Sequence, residues 1–233
     1  MPIITDPFSQ IKHCLAIVLI WYHKIMGNQV VEFIFQILIL IFSVVIHEVS
    51  HGATAYAMGD STAKDEGRLT LNPLKHLDPF GSVILPTLTY LLGGFIFGWA
   101  RPVPYNPYNL KNQKYGPGLV GAAGPLSNVV IAVAFGLIIR FAASMPFLPA
   151  QFLQIAAFIV FLNLILAVFN LIPIPPLDGS KVLFAMLPRS AYDLEIFFEK
   201  YGIIILLVFI FFLSGIIIPV ASFFFRLITG LGF

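Results

Sequence analysis

Four stretches of this chain are each long and apolar enough, or nearly so, to cross a lipid bilayer, and this constrains the fold more than any other feature. A spanning helix needs about 20 mostly apolar residues, because hydrocarbon offers no water to a free backbone group. Residues 33–59 are apolar from Phe33 to Ile46, then carry His47-Glu48, and reach a natural helix stop at Gly59. Residues 116–139 carry no charge and end at Arg140. Residues 150–172 are also uncharged and run into a proline-rich stretch. Residues 201–225 form the last uncharged run, with Pro219 as the expected kink.

Two further segments are ambiguous. Cys14–Tyr22 is a short apolar run between Lys12 and Lys24, suited to an interfacial or tilted helix. Residues 80–100 are long enough to span but contain Pro86, Gly93-Gly94 and Gly98, which suit a re-entrant segment equally well. The expected fold is therefore an all-α polytopic membrane protein, a bundle of about four to six transmembrane helices. Its parts are an N-terminal interfacial or short membrane segment (1–30), a membrane core (31–190) and a C-terminal transmembrane helix (191–233).

Composition agrees. Only 10% of the 233 residues are charged, against 59% hydrophobic, and mean hydropathy is +0.94. Thirteen basic and 11 acidic side chains cannot cover a soluble surface of this size. The net charge of +2 is too small to suggest a nucleic-acid partner. Cys14, the single cysteine, cannot form an intramolecular disulfide. The opening MPIITDPFSQIKHC does not read as a secretory signal.

Chemistry concentrates at His47-Glu48-Val49-Ser50-His51, an HExxH pattern inside an apolar helix. Histidines four apart lie on one helix face, so two imidazoles can bind one zinc ion. Glu48 lies beside them, placed to take a proton from an attacking water. With 5 His in the chain, the pattern arises by chance roughly twice in a thousand such sequences. Ionisable groups in a bilayer helix are costly unless paired or metal-bound, and three occur here within five positions.

A catalytic zinc takes three protein ligands and leaves a position for water. Between Asp78 and Asp193 the only carboxylate is Asp178. It follows Asn170-Leu-Ile-Pro-Ile-Pro-Pro-Leu and precedes Gly179; Pro173, Pro175 and Pro176 forbid a regular helix there. Asp178 is the candidate third ligand. Glu195 or Glu199 would serve in a different metalloprotease architecture, but both sit in a charged stretch that reads as a solvated face.

HExxH in one membrane helix and a distant Asn-x-x-Pro-x-Pro-x-x-Asp-Gly closing another resemble the site-2 protease family of intramembrane zinc metalloproteases. The likeness is to its small bacterial and archaeal members without a PDZ domain. Supporting segments are Leu71-Asn-Pro-Leu-Lys-His-Leu-Asp-Pro-Phe-Gly81, Gly98-Trp-Ala-Arg-Pro-Val-Pro-Tyr-Asn-Pro107 and Ala123-Gly-Pro-Leu-Ser-Asn128. The resemblance implies one Zn2+ held by His47, His51 and Asp178, with Glu48 as general base. It also implies that Asn170 holds substrate backbone or the oxyanion. The short extended segment near 101–108, with Val103 and Tyr105, would lie along the substrate as an edge strand. Asn128 is either an interhelical hydrogen-bonding group or a substrate-lining residue.

The ligand set imposes a topological expectation. His47 and His51 lie near the C-terminal end of one span, and Asp178 follows the C-terminal end of another. These ends share a membrane face if 80–100 is re-entrant and oppose each other if it spans. Re-entrance also gathers Lys64, Arg68, Lys75, Arg101, Lys111, Lys114, Lys181, Arg189 and Lys200 on one side, 9 of the 13 basic residues. That side should be cytoplasmic. The implied activity is hydrolysis of a peptide bond within or beside the transmembrane segment of another membrane protein. The alternative is a zinc-binding scaffold or transporter without peptidase activity. His76 and Asp78 read more readily as a loop pair than as a second metal site, and the oligomeric state stays open.

Overall fold

In the computed structural model, residues 31, 34–84, 88, 101–142 and 148–231 are described. Chain contacts divide it into Met1–Leu40 and Ile41–Phe233. Of the first unit only Val31 and Ile34–Leu40 are described, all helical; the 1–30 segment and most of 80–100 lie outside the described residues.

Every regular element among the described residues is helical. Helix α1, Ile34–Ala57, is apolar enough to span a membrane. It stops at Gly59, whose φ of +107° favours a residue without a Cβ. The stop is a Schellman turn: Gly59 N–H donates to Tyr56 O and Asp60 N–H reaches back to Ala55 O, both at 3.0 Å. A one-turn α2, Thr62–Asp65, follows. Pro79–Ile84 forms a short π-helical stretch, and residues 101–106 carry no helix at all.

Helices α3 (Gly116–Arg140) and α4 (Ala150–Asn170) are the other two uninterrupted candidate spans. Pro173, Pro175 and Pro176 end the helical run, and α5 restarts at Asp178, ending at Met186. The gap closes tightly: a Cβ on Gly179 would overlap the carbonyl of Leu171, so the glycine after Asp178 lets the turn fold onto the start of α5.

The last apolar run differs from expectation. Helix α6 extends over Tyr192–Phe212, a short 3-10 turn covers Ser214–Ile216, and α7 runs from Ile217 to Thr229 at 62° to α6. The break precedes Pro219 rather than falling on it. Pro219 occupies the first turn of α7, where a missing N–H leaves no helical bond unmade.

Helix α3 is central, packing against α4, α5 and α7. Ala132 and Ile139 of α3 join Ala156, Val160 and Leu164 of α4 and Ala221 and Phe225 of α7 in one buried cluster. Close approach of α3 to α5 depends on Gly118 and Gly121, whose missing side chains admit Ala185 and Lys181. Outward residues such as Leu126 and Val130 remain exposed, as expected where the solvent is lipid. The chain is a membrane protein: among the described residues three helices are long and apolar enough to cross a bilayer, or four if the bent α6–α7 pair counts as one.

Candidate metal centre and active site

His47 and His51, one turn apart on α1, bring their Nε2 atoms to 3.0 Å of each other. Oδ2 of Asp178, at the first position of α5, lies 3.0 Å from the first and 3.1 Å from the second. All three side chains are buried, and this is the one group of metal-ligating type among the described residues. Glu195 and Glu199 are not part of it.

Hydrogen bonds fix which atoms are free to coordinate. Nδ1 of His51 lies 2.6 Å from the Val120 carbonyl, which can only accept, so this nitrogen carries the proton. The same holds for His47 through a longer chain. Nδ2 of Asn163 donates to the Ile159 carbonyl at 2.9 Å, which sets the orientation of that amide. Its Oδ1 then accepts from Nδ2 of Asn128 at 2.8 Å, leaving Asn128 Oδ1 to accept from His47 Nδ1 at 2.6 Å. With Nδ1 committed as donor in each ring, Nε2 is the nitrogen left to coordinate, and the two Nε2 atoms point at one another and at a carboxylate oxygen. In the neutral imidazoles these are three converging acceptors, a set that a cation satisfies. Tetrahedral zinc with ligands at about 2.0–2.1 Å places donor atoms about 3.3 Å apart, close to the spacing found.

Two features make room and hold the set. A Cβ on Gly124 of α3 would overlap Nε2 of both histidines, so only glycine leaves the coordination space open. Lys181 Nζ binds Asp178 Oδ1 at 3.0 Å and so directs the other oxygen, Oδ2, to the histidines.

Glu48 faces residues 101–106. Its Oε2 accepts the Val103 N–H at 2.8 Å. Arg68, buried, holds the same segment by donating from one terminal nitrogen to the carbonyls of Arg101 at 2.8 Å and Pro102 at 3.2 Å. Gly52, directly after His51, lets Val103 lie on α1, since a Cβ there would meet Val103 and Leu69 at 2.7 Å.

Asp60 anchors the far end of this loop. It accepts from Thr62 Oγ1 at 2.6 Å, Asn106 N–H at 2.8 Å and Asn109 Nδ2 at 2.9 Å. Burial alone would raise its carboxyl; the hydrogen bonds outweigh this and hold it below its ordinary 3.8. A depressed carboxylate contributes stability in full above the unfolded value and loses it as pH falls through the folded one. Acid unfolding followed by circular dichroism should therefore show a stability loss below about pH 4 that is weaker in Asp60→Asn, which starts less stable at neutral pH.

The other expected site residues divide. Asn128 is fully buried behind His47, with its Oδ1 on His47 Nδ1 and its Nδ2 on Asn163 Oδ1, hydrogen bonds that join α3 to α1 and α4. Val103 joins the site through its main chain, while its side chain is buried. Tyr105 lies half-buried against Ala55, Leu110 and Val120, with Lys181 Nζ 5.8 Å from its ring centroid. Asn170 ends α4 and turns its amide back to the Leu166 carbonyl at 2.9 Å rather than to the cluster. His76 is buried with Nε2 on the Thr70 carbonyl, and Asp78 accepts the Gly81 N–H, so both serve their own loop.

Ser43, Asp60, Arg68 and Asn163 were not anticipated. Ser43 precedes His47 by one turn on the same face, and Asn163 is the lone polar residue between Gln154 and Asn170. Those signals were present but lacked a partner to give them meaning.

Comparison with known proteins agrees with this chemistry. Residues 138–213 match the model of peptidase family M50. YwhC of Bacillus subtilis, named as a candidate zinc metalloprotease, is 41% identical over 182 residues, covering 75% of this chain and 78% of its own. Rip2 of Mycolicibacterium smegmatis, named likewise, is 37% identical over 143 residues, 61% of this chain and 53% of its own. MJ0611 of Methanocaldococcus jannaschii, also so named, is 45% identical over 67 residues, 28% of this chain and 32% of its own. No solved structure matches this chain. Identity with YwhC at this level, across three quarters of both chains, carries the family with it: this protein belongs to peptidase family M50 and is a zinc metalloprotease.

Proposed function

We propose that this protein hydrolyses peptide bonds within or next to transmembrane helices of other membrane proteins. His47, His51 and Asp178 are its zinc ligands and Glu48 its general base. The observation carrying this reading is the position of the HExxH pair on α1, an apolar helix of span length. Substrates that reach such a site arrive through the bilayer or along its surface. Their carbonyls are tied up in helical hydrogen bonds, so the substrate must unwind locally before attack.

Zinc held by these donors supplies Lewis acidity toward the scissile carbonyl and acidifies water. Glu48 takes the proton of the attacking water as the new C–O bond forms, then passes it to the nitrogen as the C–N bond breaks. Val103 N–H binds Oε2 of Glu48, so Oε1 is the oxygen that would take the proton. The segment around Val103 and Tyr105 borders the place where an unwound substrate would lie. Asn170 would join only after releasing the Leu166 carbonyl.

The orientation that goes with this has the basic loops facing the cytoplasm of a bacterial or archaeal cell membrane. Co-reconstitution with a single-span membrane protein tests the activity. Cleavage that stops on zinc chelation and returns with zinc is the expected result. Zinc binding with no cleavage of any membrane substrate would favour a scaffold or transporter instead.

A further inference from the structure

We infer that Asn163 and Ser43 are positioning residues for His47, acting through Asn128 to hold its ring in the orientation that binds metal. The inference rests on the reading of His47 as a zinc ligand. The buried chain joins three helices: His47 Nδ1 donates to Asn128 Oδ1 at 2.6 Å, and Asn128 Nδ2 to Asn163 Oδ1 at 2.8 Å. Asn163 Nδ2 in turn donates to Ser43 Oγ at 3.0 Å and to the Ile159 carbonyl at 2.9 Å. Asn128 and Asn163 are wholly buried, and Ser43 nearly so.

The direction of the chain is what separates this role from simple helix packing. An amide has one acceptor end and one donor end. Ile159 O can only accept, and it therefore dictates how Asn163 lies. Asn163 dictates Asn128, and Asn128 dictates that His47 carries its proton on Nδ1, leaving Nε2 for the metal. Ser43 takes the second amide proton of Asn163, so neither N–H of that group is left unmet and the amide has no equally good flipped state. The start and end of the relay, Ser43 and His47, lie one turn apart on α1, so the network returns to the helix it orients. His51 needs no such relay because Val120 O fixes it directly.

Partners of this kind typically change metal affinity by about 10–100-fold when removed. The test measures zinc affinity of the full chain in nanodiscs by competition with a chromophoric chelator, and the visible spectrum of the cobalt-substituted protein. Variants are Asn163→Leu, Asn163→Ser, Ser43→Ala, Asn128→Leu, His47→Ala and the Asn128→Leu/Asn163→Leu double. Asn163→Ser guards against misfolding, since a serine hydroxyl can bond the Ile159 carbonyl while falling short of Asn128. The expected result is about 10–100-fold weaker zinc binding and an altered cobalt spectrum in both Asn163 variants, with unchanged melting of the metal-free chain. Ser43→Ala should show a smaller loss in the same direction, and the double variant should be no weaker than Asn128→Leu alone. Wild-type affinity and spectrum in both Asn163 variants, with zinc lost from His47→Ala, overturns this inference alone. Wild-type affinity in His47→Ala overturns the ligand reading itself.

Discussion

Replacing Glu48 with glutamine is expected to abolish peptide hydrolysis while leaving zinc in place. Glutamine keeps the size of the side chain and an oxygen to accept the Val103 N–H, so the segment at 101–106 stays seated on α1. What it lacks is a site that can take a proton from water and give it to a leaving amine. A positioned general base contributes about 10²–10⁴-fold, so turnover of a reconstituted substrate should fall by at least that much. Metal content measured on the same preparation should equal wild type. Wild-type turnover in Glu48→Gln would move the proton transfer to another residue.

The second large effect is steric. Gly124→Ala adds one methyl group to α3, where it would overlap Nε2 of both His47 and His51. Helix propensity favours alanine over glycine by about 0.8–1 kcal/mol, so α3 itself should form at least as well. Neither side can easily withdraw. The Val120 carbonyl, one turn before Gly124, holds His51, and α3 is pressed onto α5 through Gly118 and Gly121. The variant should stay folded, lose zinc affinity by more than about 100-fold, and show no hydrolysis. Gly215→Ala, where an added Cβ meets nothing within 4 Å, is the control and should match wild type. Chelator competition and turnover on both proteins check the pair, and zinc retained by Gly124→Ala would show that the rings face elsewhere.

The centre of this site could be read from sequence because the bilayer removes background. In a soluble protein HExxH competes with many surface His and Glu residues, whereas an apolar helix leaves His47, Glu48 and His51 conspicuous. Asp178 stood out for the same reason, as the lone carboxylate between Asp78 and Asp193. Scarcity does not distinguish roles among neutral polar residues. Asn128, Asn163 and Asn170 each interrupt an apolar helix, yet one supports a histidine, one supports that support, and one bonds its own helix. Only the spatial pairing of α1, α3 and α4 separates them.

Helix ends were uneven in the same way. Gly59 marked the stop of α1 because a Schellman turn requires a positive φ there. The break between α6 and α7 left no such mark: it falls at Leu213–Ile216, while Pro219 merely starts the next helix. The holding of Glu48 by Val103 N–H was beyond sequence altogether, since a main-chain donor has no residue type.

Zinc K-edge absorption on the full chain in nanodiscs addresses the metal centre most directly, for wild type and for Asp178→Ala. The expected first shell is two imidazole nitrogens and one carboxylate oxygen, with one further light atom, all at about 2.0–2.2 Å. Asp178→Ala should lose the carboxylate contribution or the metal itself. A sulfur scatterer at about 2.3 Å, or a shell unchanged by Asp178→Ala, would contradict the His47, His51 and Asp178 centre.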